Sequence, residues 1–146
     1  MSFIGAEELA APFDPALPAA PPLAPTVRFD RANLHEARRF VADRAVVAGL
    51  SSEAVEDLEL AANEVVSNSV VHGGGSGTAK VWREQDAVVC EVRDEGCLTP
   101  PLVRRMHPDF HDESGRGLWL ADQLCDLLQI RASKSGTVVR MLKRVQ

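Results

Sequence analysis

Residues 51–77 read Ser51-Ser-Glu-Ala-Val-Glu-Asp-Leu-Glu-Leu-Ala-Ala-Asn-Glu64-Val-Val-Ser-Asn68-Ser-Val-Val-His72-Gly-Gly-Gly-Ser-Gly77. The pattern predicts a helix capped by Ser51 or Ser52 and running to about His72. Gly73-Gly74-Gly75-Ser76-Gly77 stops it, because glycine loses the most backbone freedom on entering a helix. Glu64 and Asn68 lie four residues apart, about 40° around the helix axis. They therefore share a face, beside the apolar Leu60, Ala61 and Val71.

Upstream, Asn33 is expected to cap a first helix, with Glu36 as its capping-box partner. Leu34, Ala37, Phe40, Val41, Ala45 and Ala48 follow at helical spacing, and Gly49 ends the helix. Val27–Phe29 is expected as a short strand before it. Downstream, residues 78–84 and 87–94 alternate as two Val-rich strands. Residues 95–114 have no period and contain Pro100, Pro101 and Pro108, which predicts a long loop of the lid or binding type. A helix over about Gly117–Asp126 comes next, then strands over 127–133 and 137–144 joined by Lys134-Ser135-Gly136. The order (β)ααββ–loop–αββ predicts an α+β fold. Its form is a two-layer sandwich with helices on one face of a mixed, mostly antiparallel sheet.

The chain has 146 residues, one domain's worth, and its 45% hydrophobic and 25% charged content is ordinary for a globular protein. No apolar run nears the length of a membrane span, and a signal peptide is not expected. Cys90, Cys97 and Cys125 lack metal-type spacing, so a reducing, cytoplasmic setting without structural zinc is expected. A net charge of −5 argues against direct nucleic-acid binding. Residues 1–26 hold Glu7, Glu8 and Asp14 but no base, together with six of the nine prolines. They read as an extended, flexible Pro/Ala-rich tether, leaving 27–146 as the folded domain.

Four local patterns could carry chemistry. A half-buried carboxylate one turn from an amide suits a general base beside a hard oxygen ligand for Mg²⁺, or a solvated helix edge. Asp94-Glu95-Gly96 ends a strand. Asp94 shares parity with Val88, Cys90 and Val92, so it should point toward the helices, where a purine amine would satisfy it; a turn-capping Asp is the plainer reading. Gly115-Arg116-Gly117-Leu118 opens a helix after the long loop, where free amides and the dipole favour phosphate, unless the glycines merely punctuate the loop. Gly136-Thr137 opens the last strand and matters only if Thr137 lies near Asp94. Trp82 and Trp119 are expected in the core.

The order and spacing of these patterns resemble the GHKL (Bergerat-fold) ATP-binding superfamily. Glu64-Val-Val-Ser-Asn68-Ser-Val-Val-His72-Gly73 and Gly115-Arg-Gly-Leu-Trp119-Leu resemble the bacterial anti-sigma-factor serine/threonine kinases. The resemblance covers residues 27–146. It implies ATP and Mg²⁺ as ligands, with Asn68 at the metal and Glu64 as general base. It further implies Asp94 on the adenine amine with Gly96 beside it, Thr137 near adenine, and Gly115, Gly117 and Leu118 in the phosphate-wrapping hinge. Arg116 could meet the phosphates. One departure is that Cys97-Leu98-Thr99-Pro100 follows Gly96 where the family often carries a second glycine, which implies a stiffer loop. The implied activity is transfer of the γ-phosphoryl of ATP to a Ser/Thr of a STAS-type anti-anti-sigma partner, thereby regulating a sigma factor, with a homodimer possible. The alternatives are a nucleotide-switched binding module without catalysis, or the ATP-binding half of a larger regulator.

Overall fold

A computed structural model describes residues 17–72, 74–94, 113–133 and 136–145; of residues 113–116 and Ser133 it describes the backbone alone. Strand β1 (Thr26–Asp30) leads through a 3₁₀ turn (Arg31–Asn33) into helices α1 (Leu34–Val47) and α2 (Ser52–His72). Strands β2 (Ser76–Glu84) and β3 (Ala87–Asp94) follow. Helix α3 (Glu113–Leu124) and strands β4 (Leu127–Ser133) and β5 (Gly136–Arg144) complete the order. The sheet runs β1-β2-β3-β5-β4. All four pairings are antiparallel. The expected two-layer α+β sandwich is therefore present, and "mostly antiparallel" becomes antiparallel at every pairing.

Alternation along the strands decides which face the helices cover. Ala79 and Val81 of β2, Val88, Cys90 and Val92 of β3, and Val139 and Met141 of β5 join one buried cluster with Val41, Leu58, Val65 and Leu118 of the helices. This is the inner face. α1 packs over β1 and β2, and α2 lies over β2, β3 and β5 with α1 and α3 on either side. At 21 residues α2 is about 30 Å long, enough to span the layer. Lys143 of β5 ties the layers at one end, donating to Asp57 Oδ2 of α2 (3.1 Å) and to the Leu124 carbonyl (2.7 Å). The second bond places a cation at the carboxyl end of α3, where the helix dipole favours it.

Of the two expected caps it is Ser51 that caps α2, its Oγ accepting from the Ala54 amide at 3.2 Å. Other details depart from the sequence reading. Asn33 makes no side-chain cap for α1. It serves instead as the third residue of a capping box on the 3₁₀ turn. Asp30 Oδ1 accepts from the Ala32 amide, and Asn33 Oδ1 from the Asp30 amide, both at 2.7 Å. A closer acidic cap has taken the amide side chain that Glu36 would have complemented. β2 begins at Ser76, two residues early, because its pairing with β1 runs from Asp30↔Ser76. Trp82 is buried, but on the outer face of the sheet, opposite Val89 and outside the helix–sheet cluster. No helix among the described residues is long and apolar enough to cross a membrane.

Gly77 is the tightest point of the β1–β2–β3 junction. A Cβ there would lie 2.3 Å from the Arg93 carbonyl oxygen and 2.7 Å from Phe29 Cζ. The first contact is backbone and cannot rotate away. Gly75 has open space but sits at φ +93°. Gly77→Ala should therefore destabilise by about 2–3 kcal/mol, and Gly75→Ala by about 1 kcal/mol. Urea midpoints check the order; equal losses would assign both effects to backbone strain rather than crowding.

Candidate functional site

Two groups of polar residues face the boundary between helices and sheet. The first is on α2. Glu64 and Asn68 are half-buried, one turn apart. The Oδ1 atom of Asn68 is buried without a hydrogen-bond partner. A desolvated amide oxygen left unpaired costs free energy, on the order of 1–3 kcal/mol. Such an atom calls for an explanation, and an ordered water, an ion or a ligand would satisfy it.

The second group is on the sheet. Asp94 ends β3 with the parity of Val88, Cys90 and Val92, which all belong to the inner cluster. It therefore faces the helix layer, as its alternation predicts, and is only 7% exposed. Thr137 is its Cα partner on β5 and is also buried. Residues directly opposite in an antiparallel pair stand roughly 5 Å apart at Cβ. The register thus brings together two residues that sequence left 43 positions apart, and with Gly77 and Ala132 they form one row across four strands.

α3 closes on the first group. A Cβ at Gly117 would lie 3.5 Å from Glu64 Oε2 and 3.6 Å from its Cδ, so this turn of α3 runs against the carboxylate. The helix begins at Glu113, four residues before the expected start, so Gly115 and Gly117 lie inside it rather than in a hinge ahead of it. Glycine's poor helix propensity is overridden by burial of the following turns, where Leu118, Ala121 and Cys125 are sealed in the core. Leu118 is thus a core residue. Arg116 is helical in backbone. Gly96, and the expected loop up to residue 112, lie outside the described residues.

The sequence reading missed Asp122. Its side chain is fully buried on α3, and neither carboxylate oxygen has a hydrogen-bond partner among the described residues. Burial raises its pKa from 3.8 to about 6. Nothing in the sequence marks it except its place four residues after Leu118, on the helix face that turns inward. Burial also pushes the Cys125 thiol up to about 12 and raises that of Cys90, so both stay protonated and neither is a nucleophile.

Residues 27–143 match the histidine kinase-like ATPase domain family. The chain belongs to that family. Among curated proteins it is similar to the anti-sigma F factor of Thermoanaerobacter sp. (strain X514), 29% identical over 119 residues, spanning 75% of this chain and 83% of that one. The anti-sigma F factor of Clostridium acetobutylicum is 28% identical over 118 residues, 74% and 82% of the two chains. Among solved structures, the RsbU and RsbW domains of Rv1364c from Mycobacterium tuberculosis superpose with a TM-score of 0.61 at 18% identity. That match covers 83% of this chain and 32% of the other, so the chain spans about a third of that protein. The catalytic domain of histidine kinase ThkA matches with a TM-score of 0.53 at 13% identity, covering 83% and 96%. These superpositions show a shared histidine kinase-like ATPase fold.

Asp122 supplies a pH test of this domain. Its folded pKa lies above its unfolded one, so its protonated form is favoured in the native state. The contribution to stability is full below about pH 4 and is lost as pH rises through about 6. Asp122→Asn removes the ionisation. Thermal melts should find the variant more stable than the parent at pH 7.5, by about 1–2 kcal/mol, with the gap closing toward pH 4. A gap independent of pH would place the ionised Asp122 in a satisfied environment.

Proposed function

We propose that this domain is an ATP-dependent serine/threonine kinase of the anti-sigma type, transferring the γ-phosphoryl to a Ser/Thr of a STAS-type anti-anti-sigma protein and so controlling a sigma factor. The observation that carries the reading is the orphaned Oδ1 of Asn68, one turn from Glu64 on the face that α3 closes. A hard, unpaired oxygen fits Mg²⁺. The likeness to anti-sigma F factors and to an RsbW-containing structure supports the partner class.

Each residue then has a role in nucleotide binding or in transfer. Asp94, buried on β3, accepts from the exocyclic amine of adenine, and Thr137 beside it reaches the same base edge. Asn68 would hold Mg²⁺ through Oδ1. Bound Mg²⁺ supplies charge screening across the phosphates. The amino-terminal turn of α3, which includes Gly115, offers helix amides and dipole to the phosphates, and Gly117 follows it. Arg116 and Gly96 complete the nucleotide contacts on this reading. Glu64 accepts the proton of the substrate hydroxyl. The hydroxyl oxygen bonds to the γ-phosphorus as the bond to the bridging oxygen breaks, and ADP leaves. Gly117 keeps a side chain away from the Glu64 carboxylate, leaving its oxygens room to meet a hydroxyl.

Binding and chemistry are separable on one helix. Glu64→Gln keeps size and removes the base. It should leave ATP affinity within a few-fold and cut phosphotransfer by roughly 10²–10⁴. Asn68→Ala should lower both Mg-ATP affinity and transfer. Radiolabelled ATP with a STAS protein reads the transfer, and calorimetry the binding. Full transfer by Glu64→Gln would remove Glu64 as base; ATP binding with no transfer by the unmodified chain would leave a nucleotide-switched binding module. Asp94→Ala should raise the Kd for ATP roughly tenfold or more, since a charged hydrogen bond is worth about 1.5–3 kcal/mol; unchanged affinity would remove Asp94 from the adenine site.

A further inference from the structure

Among the described residues the outer face of the sheet carries no helix, yet its centre is buried. The strand registers place Lys80, Glu91, Arg140 and Gln129 in one row across β2, β3, β5 and β4. In an open antiparallel sheet such a polar row faces water. Here Glu91 is 1% exposed and Arg140 6%. Their ion pair measures 2.8 Å from Arg140 Nε to Glu91 Oε1. The guanidinium also stacks 5.2 Å above the centre of the Trp82 ring.

The described segment that reaches this row comes from the other end of the chain. Arg140 Nη2 donates to the carbonyl of Pro18, 122 residues away in sequence. At the far end of the same segment the Pro25 carbonyl accepts from the Val81 amide at 3.2 Å. Between these anchors the Ala24 amide donates to Pro21, closing a turn, and Ala20, Ala24 and Pro25 are partly buried. Leu17–Pro25 has proline at four of nine positions. Proline leaves the carbonyl as a strong acceptor and fixes φ in advance, so little entropy is lost on seating. Folded domains hold proline-rich segments in aromatic-lined grooves, and here the Trp82 ring lies under the guanidinium that donates to Pro18.

We infer that the outer sheet face is a docking site for a proline-rich segment, formed by Trp82, Glu91 and Arg140, and that its occupant is this chain's own Leu17–Pro25, which acts as a strap. Glu91 holds the guanidinium in place through Nε, Trp82 stacks beneath it, and Nη2 donates to the Pro18 carbonyl. The folded unit then begins near Leu17 rather than at Val27, and a partner protein finds this part of the sheet already covered. The strap stands independently of phosphotransfer, because a chain without kinase activity would carry the same contacts.

The test uses the full chain with Trp119→Phe, so that emission reports Trp82 alone. Replacing Pro18, Pro21 and Pro22 by Gly keeps the length and removes the preorganisation. Acrylamide quenching of Trp82 should rise at least twofold with the circular dichroism spectrum unchanged. A peptide of residues 14–26 added in trans should reverse it saturably, and the same peptide with the three glycines should not. Unchanged quenching in the folded triple-glycine variant overturns the strap, as does reversal by both peptides alike. Should that variant lose its fold, the unmodified chain decides: nuclear Overhauser contacts between the Arg140 side chain and Pro18 are expected, and their absence overturns the proposal.

Discussion

The architecture depends on β3 being closed on every side. It lies at the centre of the sheet, hydrogen-bonded to β2 along one edge and to β5 along the other. Val88, Cys90 and Val92 are sealed under the helices, while Val89 and Glu91 are buried on the opposite face. A strand held on both edges and both faces has no freedom to slip, since a one-residue shift would bring Glu91 under α2 and expel Cys90. That fixed register carries Asp94 to the inner face at the strand end and sets it against Thr137. The site on the sheet is thus a consequence of how the core is locked, and needs no local device of its own.

Much of this was legible because the deciding signals are local and repetitive. A helix that begins at a serine cap and ends in a glycine run is fixed by short-range chemistry, and α2 runs Ser52–His72 as expected. Strand parity is equally local, and it sent Asp94 inward correctly. What escaped depends on contacts distant in sequence. The start of α3 violates glycine's preference because Leu118 and Ala121 are buried against α2, which no window around Gly115 reveals. The Asn33 cap failed because Asp30, three residues earlier, competes for the same role. A proline-rich composition reads as a linker, and it is Arg140 and Val81, both distant in sequence, that show where Leu17–Pro25 goes.

The two faces of the sheet treat buried polarity in opposite ways. On the outer face the charge of Arg140 is matched by Glu91, an aromatic ring and a carbonyl. Removing either partner would strand a buried charge, which is the expensive outcome, whereas the intact pair is close to neutral for stability. Toward the helices, by contrast, Asn68 Oδ1 and both oxygens of Asp122 are desolvated without partners. These unpartnered oxygens lie on α2 and α3, the two helices that also bring Glu64 and Gly117 together.

That contrast bears on how the helix layer can serve a ligand. An unpaired amide oxygen costs stability, so a cation or donor that satisfied it would stabilise the folded domain. α3 approaches Glu64 at Gly117, while the Leu124 carbonyl at its other end is held by Lys143 of β5. The carboxyl end of α3 is therefore anchored, through Lys143, to Asp57 near the start of α2. Leu118 and Ala121, sealed in the core, hold the turns between. At the end beside Glu64, Gly117 adds no side chain, which leaves the carboxylate uncrowded.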